Sequence, residues 1–478
     1  MTLSESKDEF RFARDGIWYN AHFNMESDGT RGGAKPYAEI VRLVWPLALG
    51  MVNNAVMQFV DRAYLAHSSL AALEAVLPAG MLMWIFAGFF QSVVGYSSVL
   101  VGVGHGASDH EQCRDVYRAA KFVAFASALL SLPLVPLGRH LLALAAPGPQ
   151  ALALERDYFT ITMAGSFAVY LQMAAASYFT GRGRTRLVFW VNLAGNALNV
   201  VLDPVLIFVC GWGIAGAAAA TVASMLAQAV ALVFAAEREM RREGDPTSFA
   251  GVRRQVGRML RFGVPSGAYT VLNILSFTIF VFVTGGVGEL ELAASNACFT
   301  VNYLLFAPME GFSIGASTLV AQAIGRGDLA AARADARRTI LLGVGLVAAL
   351  SLAVVVCSGP ILSIFASQAG ERTEEFMRLG FVLLLIMAAW QVFDAADVIV
   401  SGALKGAGDT HFVMTWMLVT AFLFWLPLVF AVRHWHNTMP ALWGTMVVYV
   451  VVICIGSFIR WRRGSWASRL TGISVQSL

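Results

Sequence analysis

An acidic residue stands in the middle of an apolar stretch of this sequence, "NLAGNALNVVLDPVLIF" over 192–208. A carboxylate there would cost about 3 kcal/mol if it faced hydrocarbon. Its polar neighbours recur at helical spacing, which indicates a different orientation. They are Asn192, Asn196, Asn199 and Asp203, spaced four, three and four residues apart. The spacing predicts one polar helix face that points into a hydrated interior.

Two further stretches show the same arrangement of polar residues. Two carboxylates with nearby amides and a hydroxyl suit a hard monovalent cation, and two acids in a low dielectric cannot both stay ionised. We therefore predict a site for Na⁺ or for a shared proton. The competing interpretation, for Asn192, Asn196 and Gln228, is hydrogen bonding between helices. The two further sets are Asn54, Gln58 and Asp61, and Thr221, Ser224 and Gln228.

The elements that must position these residues are membrane helices. The chain has 478 residues, 58% hydrophobic and 13% charged, whereas soluble proteins carry about 25% charged residues. Apolar stretches of about 20 residues, each long enough to cross a bilayer, recur along the chain. The twelve predicted spans are 40–66, 70–101, 115–137, 155–180, 187–209, 213–236, 262–284, 290–323, 335–358, 376–403, 411–432 and 440–461.

The basic residues predict the orientation of these spans. Most of the 34 Lys and Arg residues, including Lys405, fall on segments that face inward if the N-terminus is cytoplasmic. This bias predicts a multi-pass plasma-membrane protein with both termini in the cytoplasm. The net charge of +4 reflects that topology and does not indicate a nucleic-acid partner. The lipid bilayer is the predicted partner.

The two halves of the sequence also resemble each other. Each half holds six spans, an even number, so both halves enter the membrane from the same side. A pseudo-two-fold axis along the membrane normal should relate them, as in transporters. Pro46 pairs with Pro265, Asn54 with Asn273 and Gln91 with Glu310, all 219 residues apart. The predicted regions are an N-terminal segment 1–38, an N-lobe 39–237, a cytoplasmic linker 238–261, a C-lobe 262–462 and a tail 463–478.

The second half carries its own acids. "WQVFDAADVIV" places Gln391 and Asp394 one turn apart, with Asp397 further round the helix. Glu310, in "APMEGFSIGAS", occupies the position of Gln91 in the repeat. These residues either line a cleft between the lobes and attract a cation, or pair with one another.

Some absences narrow the function. No G-x-x-x-x-G-K-[ST] segment occurs, so ATP is not predicted to drive this chain. The five cysteines are scattered without metal-ligand spacing. A membrane enzyme such as a prenyltransferase would need several acids around Mg²⁺, whereas Asp203 stands alone in its span. A flippase for lipid-linked precursors would need a basic cleft. We expect no enzyme activity, no metal and no cofactor beyond a coupling ion.

Five segments carry a resemblance to a known family. They are "VDRAYLA" after the first span, "LNVVLDPVLIF" in the fifth, "GIAGAAAAT" in the sixth, "TLVAQAIGRGD" in the eighth and "SGALKGAGDT" after the tenth. With these the chain resembles the multidrug and toxic compound extrusion (MATE) family, from Pro46 to the last span. The resemblance implies an all-α membrane protein, with twelve helices in two pseudo-symmetric lobes that form a V around a central cleft. It further implies a monomeric antiporter of the bacterial inner membrane, exporting organic and often cationic compounds in exchange for H⁺ or Na⁺.

The resemblance also implies roles for single residues. It places the ion at Asp61, Asn199, Asp203 and Thr221, and a hinge at Pro46. In NorM-like members an aspartate at the position of Asp394 also binds cation. Their acid in the seventh helix is missing here, because 263–284 contains none.

The sequence departs from the family near the first site as well. "VDR" replaces the usual "VDT", and Ala66 and Ser69 replace two glycines. The N-lobe site is the favoured one, and the choice between H⁺ and Na⁺ stays open. The expected cycle is ion uptake by Asp61 and Asp203, bending of the first helix, and substrate release from the contracting cavity. The predicted substrate-cleft residues are Gln58, Asn54, Gln91, Asn192, Asn196, Glu310, Gln391 and Asp394.

Overall fold

A computed structural model describes residues 33–144, 148–242, 249–366 and 372–467, and within these ranges the chain is almost entirely helical, without strands. The first half contains α1 (Tyr37–Ser68), α2 (Leu70–Gly95), α3 (Ser97–Gly106), α4 (His110–Ser131), α5 (Leu134–Leu144), α6 (Pro149–Ala164), α7 (Ser166–Gly181), α8 (Thr185–Pro204) and α9 (Gly213–Arg242). The second half contains α10 (Phe249–Gly285), α11 (Glu289–Gly325), α12 (Leu329–Val356), α13 (Ser358–Ser363), α14 (Thr373–Gly406), α15 (Thr410–Leu418), α16 (Leu426–Trp435) and α17 (Met439–Arg463).

The membrane spans agree in number with the sequence prediction. Ten helical stretches are long and apolar enough to cross a bilayer, and two bent helix pairs bring the number to twelve. The third and fourth spans, predicted as continuous, are these pairs: α4 and α5 meet at 47°, and α6 and α7 at 41°. Pro133 follows α4 and lacks an amide donor. At the second bend, a Cβ on Gly165 would lie 2.3 Å from Val222 Cγ2, so close packing against α9 is possible only with glycine.

The ends of the predicted regions need correction. Most of the predicted linker 238–261 is helical, because α9 continues to Arg242 and α10 begins at Phe249. The buried side chains of Met240 and Met259 extend the apolar faces of these helices into the basic segment. Lys405 is not in a connecting segment but belongs to α14. Residues 1–32 and 468–478 lie outside the described residues.

Two helices contain a π-helical segment, one in each half. Val205–Val209 follows Pro204 at the end of α8, and Val419–Trp425 precedes α16 with its Pro427. A proline removes one helical hydrogen bond, and wider π turns accommodate such interruptions. The first segment begins two residues after Asp203, and π turns of this kind are frequent at functional sites.

The two lobes, α1–α9 and α10–α17, approach each other most closely at one end, which we call the closed end. It is formed by the start of α1, by α3 and by the last turns of α11. A Cβ on Gly311 would lie 2.4 Å from Ala48 Cα, and one on Gly325 would lie 2.1 Å from the carbonyl oxygen of Val103. The lobes form a V around a central cleft. Across this cleft the half-buried Gln58 contacts the exposed Tyr303, with Nε2 and Oη 3.0 Å apart.

Aromatic rings fill the core of the C-lobe. Trp443 stacks on Phe299 at 4.7 Å between centroids, and Trp425 stacks on Tyr449 at 4.5 Å. The indole nitrogens are satisfied inside the lobe, Trp443 by Ser295 Oγ at 3.1 Å and Trp425 by a threonine hydroxyl at 3.1 Å. This core holds in place the helices that form the C-lobe side of the cleft.

Candidate functional site

The centre of the N-lobe holds a pair of carboxyl groups. Asp203 on α8 is completely buried and Asp61 on α1 is half-buried. The two carboxyl groups lie within hydrogen-bonding distance of each other. Asp61 Oδ1 and Asp203 Oδ2 are buried and receive no hydrogen bond from the residues that the structure describes. Two carboxylates in such contact repel unless a proton or a cation lies between them, so this pair is the candidate ion site.

The other two predicted ion ligands flank this pair differently. Asn199 is fully buried, and its Nδ2 donates to Asp203 Oδ1 at 3.4 Å, which leaves its Oδ1 without a partner. The hydroxyl of Thr221 donates to the carbonyl of Ala217 in its own helix at 3.0 Å. Its lone pairs remain as acceptors for a cation. The carboxyl pair and Asn199 therefore form one pocket, and Thr221 is turned toward its own backbone.

One neighbour of the pair could not be predicted from the sequence. Tyr158 on α6 is close enough to interact electrostatically with both Asp61 and Asp203. It follows the polar residues Arg156 and Asp157, and no helical spacing on α6 links it to the other predicted site residues. Arg62 also interacts with Asp61, but its side chain is exposed. The pocket is therefore enclosed by side chains of at least three helices.

A chain of amides runs beside the pocket. Asn196 Nδ2 donates to Asn54 Oδ1 at 2.8 Å, and Gln228 Nε2 donates to Asn196 Oδ1 at 3.3 Å. These bonds join α8 to α1 and α9, which is the interhelical role that polar residues commonly have in membranes. On the next turn Gln172 Nε2 donates to Asn192 Oδ1 at 3.0 Å. The polar face predicted from spacing is therefore mostly buried, and Asn192 and Asn196 on it hydrogen-bond to amides of neighbouring helices.

A second polar cluster lies in the C-lobe. Asp394 interacts electrostatically with Asp397 and Glu310, which brings α14 and α11 acids into one group. Asp397 is the most deeply buried of the three, hydrogen-bonds to Ser457, and keeps Oδ1 unpartnered. Glu310 and Asp394 are half-buried. Of the two alternatives left open by the sequence, a cleft lining or mutual contact, the structure shows that these acids lie in one group.

Lys405 supplies a positive charge to this cluster. Its ammonium group lies 3.8 Å from the ring centroid of Tyr269 and interacts with Glu310 and Asp397. A cation over an aromatic face is stabilised by the ring quadrupole. Gln391, fully buried one turn before Asp394, hydrogen-bonds to Asn302 of α11. The positive charge of Lys405 thus partly neutralises the acids of the C-lobe.

The remaining predicted residues lie where the lobes meet. Gln91 is half-buried on α2, next to Ser92, whose Oγ is 2.9 Å from Thr270 Oγ1 of the other lobe. Pro46 is buried at the closed end, within a single helix α1 from Tyr37 to Ser68. No group of three or more His, Cys, Asp or Glu residues with metal-binding geometry occurs in the described part of the chain.

Comparison with known proteins gives consistent matches over most of the chain. A protein related in sequence, "Probable multidrug resistance protein NorM" of Bradyrhizobium diazoefficiens, is 27% identical over 424 residues, covering 86% of this chain and 86% of the relative. A solved outward-facing conformation of a multidrug resistance MATE family transporter of the MOP superfamily superposes with a TM-score of 0.80 at 18% identity, covering 92% of this chain and 99% of that one. A mutant of the Vibrio cholerae MATE transporter VcmN gives 0.79 at 16% identity, covering 90% and 98%.

The family assignment comes from a sequence profile. The MatE profile matches twice, over 46–205 and 265–431. The two matches begin at Pro46 and Pro265, 219 residues apart, which is the offset at which the sequence repeats. Together they cover more than half of the chain. The carboxyl pair, the twofold repeat and the lobes that meet at one end thus belong to a membrane transporter of the MatE family.

Proposed function

We propose that this chain is a secondary active antiporter that exports cationic or amphiphilic organic compounds in exchange for H⁺ or Na⁺, through alternating access of its two lobes. The name of the NorM relative supports the class of cargo. The observation that carries the coupling is the contact between Asp61 and Asp203, each with a buried oxygen that has no hydrogen-bond partner in the described part of the chain.

The carboxyl pair provides a physical basis for exchange. A proton or Na⁺ that enters from outside removes the repulsion between Asp61 and Asp203, and α1 and α8 can then pack more closely. When the ion leaves toward the cytoplasm, the recharged pair again favours a hydrated, expanded cavity. One charge that crosses 100 mV releases about 2.3 kcal/mol. For an uncharged compound this energy is enough to drive export against a gradient of about fifty-fold. One-for-one exchange with a monovalent cation moves no net charge, so there the concentration gradient of the coupling ion alone drives export.

The cleft between the lobes supplies the cargo site. Glu310 and Asp394 are half-buried acids of the C-lobe, and together with Gln58 and Gln91 they give an acidic, amide-rich lining that attracts organic cations. We place the chain in the bacterial inner membrane as a monomer, with both termini cytoplasmic. It needs no cofactor beyond the coupling ion.

Efflux from proteoliposomes tests this proposal. A fluorescent organic cation is loaded, and a pH gradient or a sodium gradient is imposed on separate samples of wild type, Asp203→Asn and Asp115→Asn. Asp115 is a buried aspartate on α4, outside the pocket. We expect export under one of the gradients, its loss in Asp203→Asn and its persistence in Asp115→Asn. Coupled export by Asp203→Asn would refute the carboxylate mechanism.

The same assay separates the alternative function. A flippase for lipid-linked precursors would not move the cation under either gradient, although the protein is folded. The cleft acids Glu310, Asp394 and Asp397 outnumber the single cleft lysine, Lys405, which is a poor match for a diphosphate. We therefore favour the antiporter.

A further inference from the structure

The closed end contains a hydrogen-bonded contact between the lobes that the ion and cargo sites do not explain. Gln322, on the last turns of α11, is 2% exposed. Its Nε2 donates to the carbonyl oxygen of Gly181, at the end of α7 in the other lobe, at 2.8 Å. A buried side-chain amide therefore bridges the two lobes directly.

Lys35 completes the bridge from the segment that leads into α1. Its Nζ donates to Gln322 Oε1 at 2.9 Å. Its backbone amide donates to Asp335 Oδ1 on α12 at 2.7 Å, and its carbonyl accepts from the Arg338 guanidinium at 2.5 Å. Lys35 thus attaches the start of the N-lobe to two helices of the C-lobe and fixes which way the Gln322 amide points.

The surrounding backbone is shaped to admit this bridge. A Cβ on Gly106 of α3 would lie 2.0 Å from the carbonyl oxygen of Gln322. A Cβ on Gly183, after α7, would lie 3.4 Å from Gln322 Nε2. Only glycine at 106 lets the two lobes approach closely enough for Gln322 to reach Gly181.

We propose that Gln322 and Lys35 form a latch that keeps the lobes together at the closed end and sets how often they separate. The inference does not depend on the identity of the ion or the cargo, because it concerns only the contact between the lobes. Any movement that opens the closed end must break the bond from Gln322 to Gly181. It must also either move Lys35 away from α1 or break the hydrogen bonds of Lys35 with α11 and α12.

The latch is suited to repeated opening. Burial, and to a lesser degree the Arg326 guanidinium, lowers the pKa of Lys35. Its ammonium is therefore less favourable in the latched position than in water, and hydration on opening offsets part of the lost hydrogen bonds. Asp335 is fully buried and its Oδ2 has no partner, so the contact is not at its maximum strength.

Distance measurements between spin labels test the latch. Labels are placed at Arg241→Cys on α9 and Arg337→Cys on α12, both exposed, in a parent without the five native cysteines. The labelled protein is studied in lipid nanodiscs as Gln322→Ala, Gln322→Glu and Lys35→Ala. Gln112→Ala is the matched control, because Gln112 Nε2 donates to the carbonyl of Leu100 within one lobe at 3.2 Å.

Gln322→Ala removes two hydrogen bonds, the one to Gly181 and the one from Lys35. We expect it to raise the ratio of open to closed molecules about five- to hundredfold, the combined range for two lost hydrogen bonds. Gln322→Glu still accepts from Lys35 but cannot donate to Gly181, so it should shift the ratio in the same direction, even if the alanine variant folds poorly. Lys35→Ala should shift it less, and Gln112→Ala not at all. Distances in both Gln322 variants equal to those of Gln112→Ala would overturn the latch. A shift in Gln322→Ala but not in Gln322→Glu would show that loss of the hydrogen bond to Gly181 is not the cause.

Loss of transport and loss of the latch are distinguishable in this design. The label distances report the lobes without any gradient or cargo. An Asp203→Asn protein that fails to transport would still show the latch-dependent shift when Gln322 is also replaced.

Discussion

The two lobes repeat one six-helix arrangement but fill it with different chemistry. In the N-lobe, buried amides and a carboxyl occupy the space between α1, α8 and α9, namely Asn196, Gln228 and Asp203. In the C-lobe, the buried ring of Trp425 occupies the corresponding space, between Phe280 of α10 and Tyr449 of α17. The acids of the C-lobe lie nearer the cleft and have Lys405 beside them.

This difference indicates how the lobes divide the work of a transporter. Stacked rings resist rearrangement because each offers a large surface in van der Waals contact on both faces. Polar groups in a low dielectric gain or lose strong interactions whenever a proton or cation enters. We infer that the N-lobe changes its packing with the ion, whereas the C-lobe supplies a stiff wall. Four experiments test whether the two lobes differ in this way.

The largest effect is expected from removal of a C-lobe ring. Trp443→Ala should lower the stability of the detergent-solubilised protein by about 3–5 kcal/mol, because it leaves a cavity between Phe299 and Trp390. Thermal unfolding followed by tryptophan fluorescence measures it. The control is Trp190→Ala on α8, whose side chain is 59% exposed. Equal losses in the two variants would contradict a stiff aromatic core.

The next effect is stabilisation by the coupling ion. A ligand at one hundred times its Kd stabilises the folded state by about 2.7 kcal/mol. Titration with Na⁺ at fixed pH, or with acid in the absence of Na⁺, should therefore raise the Tm of wild type for one of the two ions. The rise should vanish in Asp203→Asn and persist in Asp394→Asn. The reverse pattern would move the ion site to the C-lobe.

A smaller effect is expected where the amide chain is packed against glycine. A Cβ on Gly195 would lie 2.2 Å from Gln228 Cγ, so Gly195→Ala should cost about 1–3 kcal/mol by overpacking. Gly345→Ala is the control, because nothing lies within 4 Å of a Cβ at that position of α12. There alanine should be neutral or stabilising, by up to about 1 kcal/mol. Thermal unfolding of both variants measures this difference. An unchanged Tm for Gly195→Ala would show that Gln228 is free to move.

The smallest effect separates structure from binding. Asn54→Ala removes one interhelical hydrogen bond to Asn196, and such bonds contribute about 0.6 kcal/mol on average in membranes. We expect a small fall in Tm with export largely retained. If export is abolished while the melt is unchanged, Asn54 contacts the cargo or the ion directly.

Much of the fold is readable from the sequence because membrane helices impose strong local rules. Span length, the number of spans and the repeat at Pro46 and Pro265 each follow from the one-dimensional pattern. The breaks at Pro133 and Gly165 do not, since an apolar stretch of sufficient length looks continuous whatever its neighbours are. The bend at Gly165 depends on Val222, which is 57 residues away.

The candidate site follows the same division. Asn199 and Asp203 are found by spacing because they share a helix face. The meeting of Asp61 with Asp203, and the approach of Tyr158, depend on how three helices pack. The sequence assigns Lys405 to a connecting segment because it lies between the predicted spans 376–403 and 411–432, although its long side chain contacts Tyr269. Contacts such as that of Lys35 with Gln322, which are 287 residues apart, leave no local signal.

The glycines of the closed end have a consequence for genetics. At Gly106 and Gly325 any side chain would enter the volume of a carbonyl group in the opposite lobe, at 2.0 and 2.1 Å. Alanine, valine and aspartate would therefore have the same primary effect, which is to force the lobes apart, whatever their polarity. A screen for mutants that no longer export should recover these two codons repeatedly, far from any residue that contacts the ion, and alleles at both should share one phenotype.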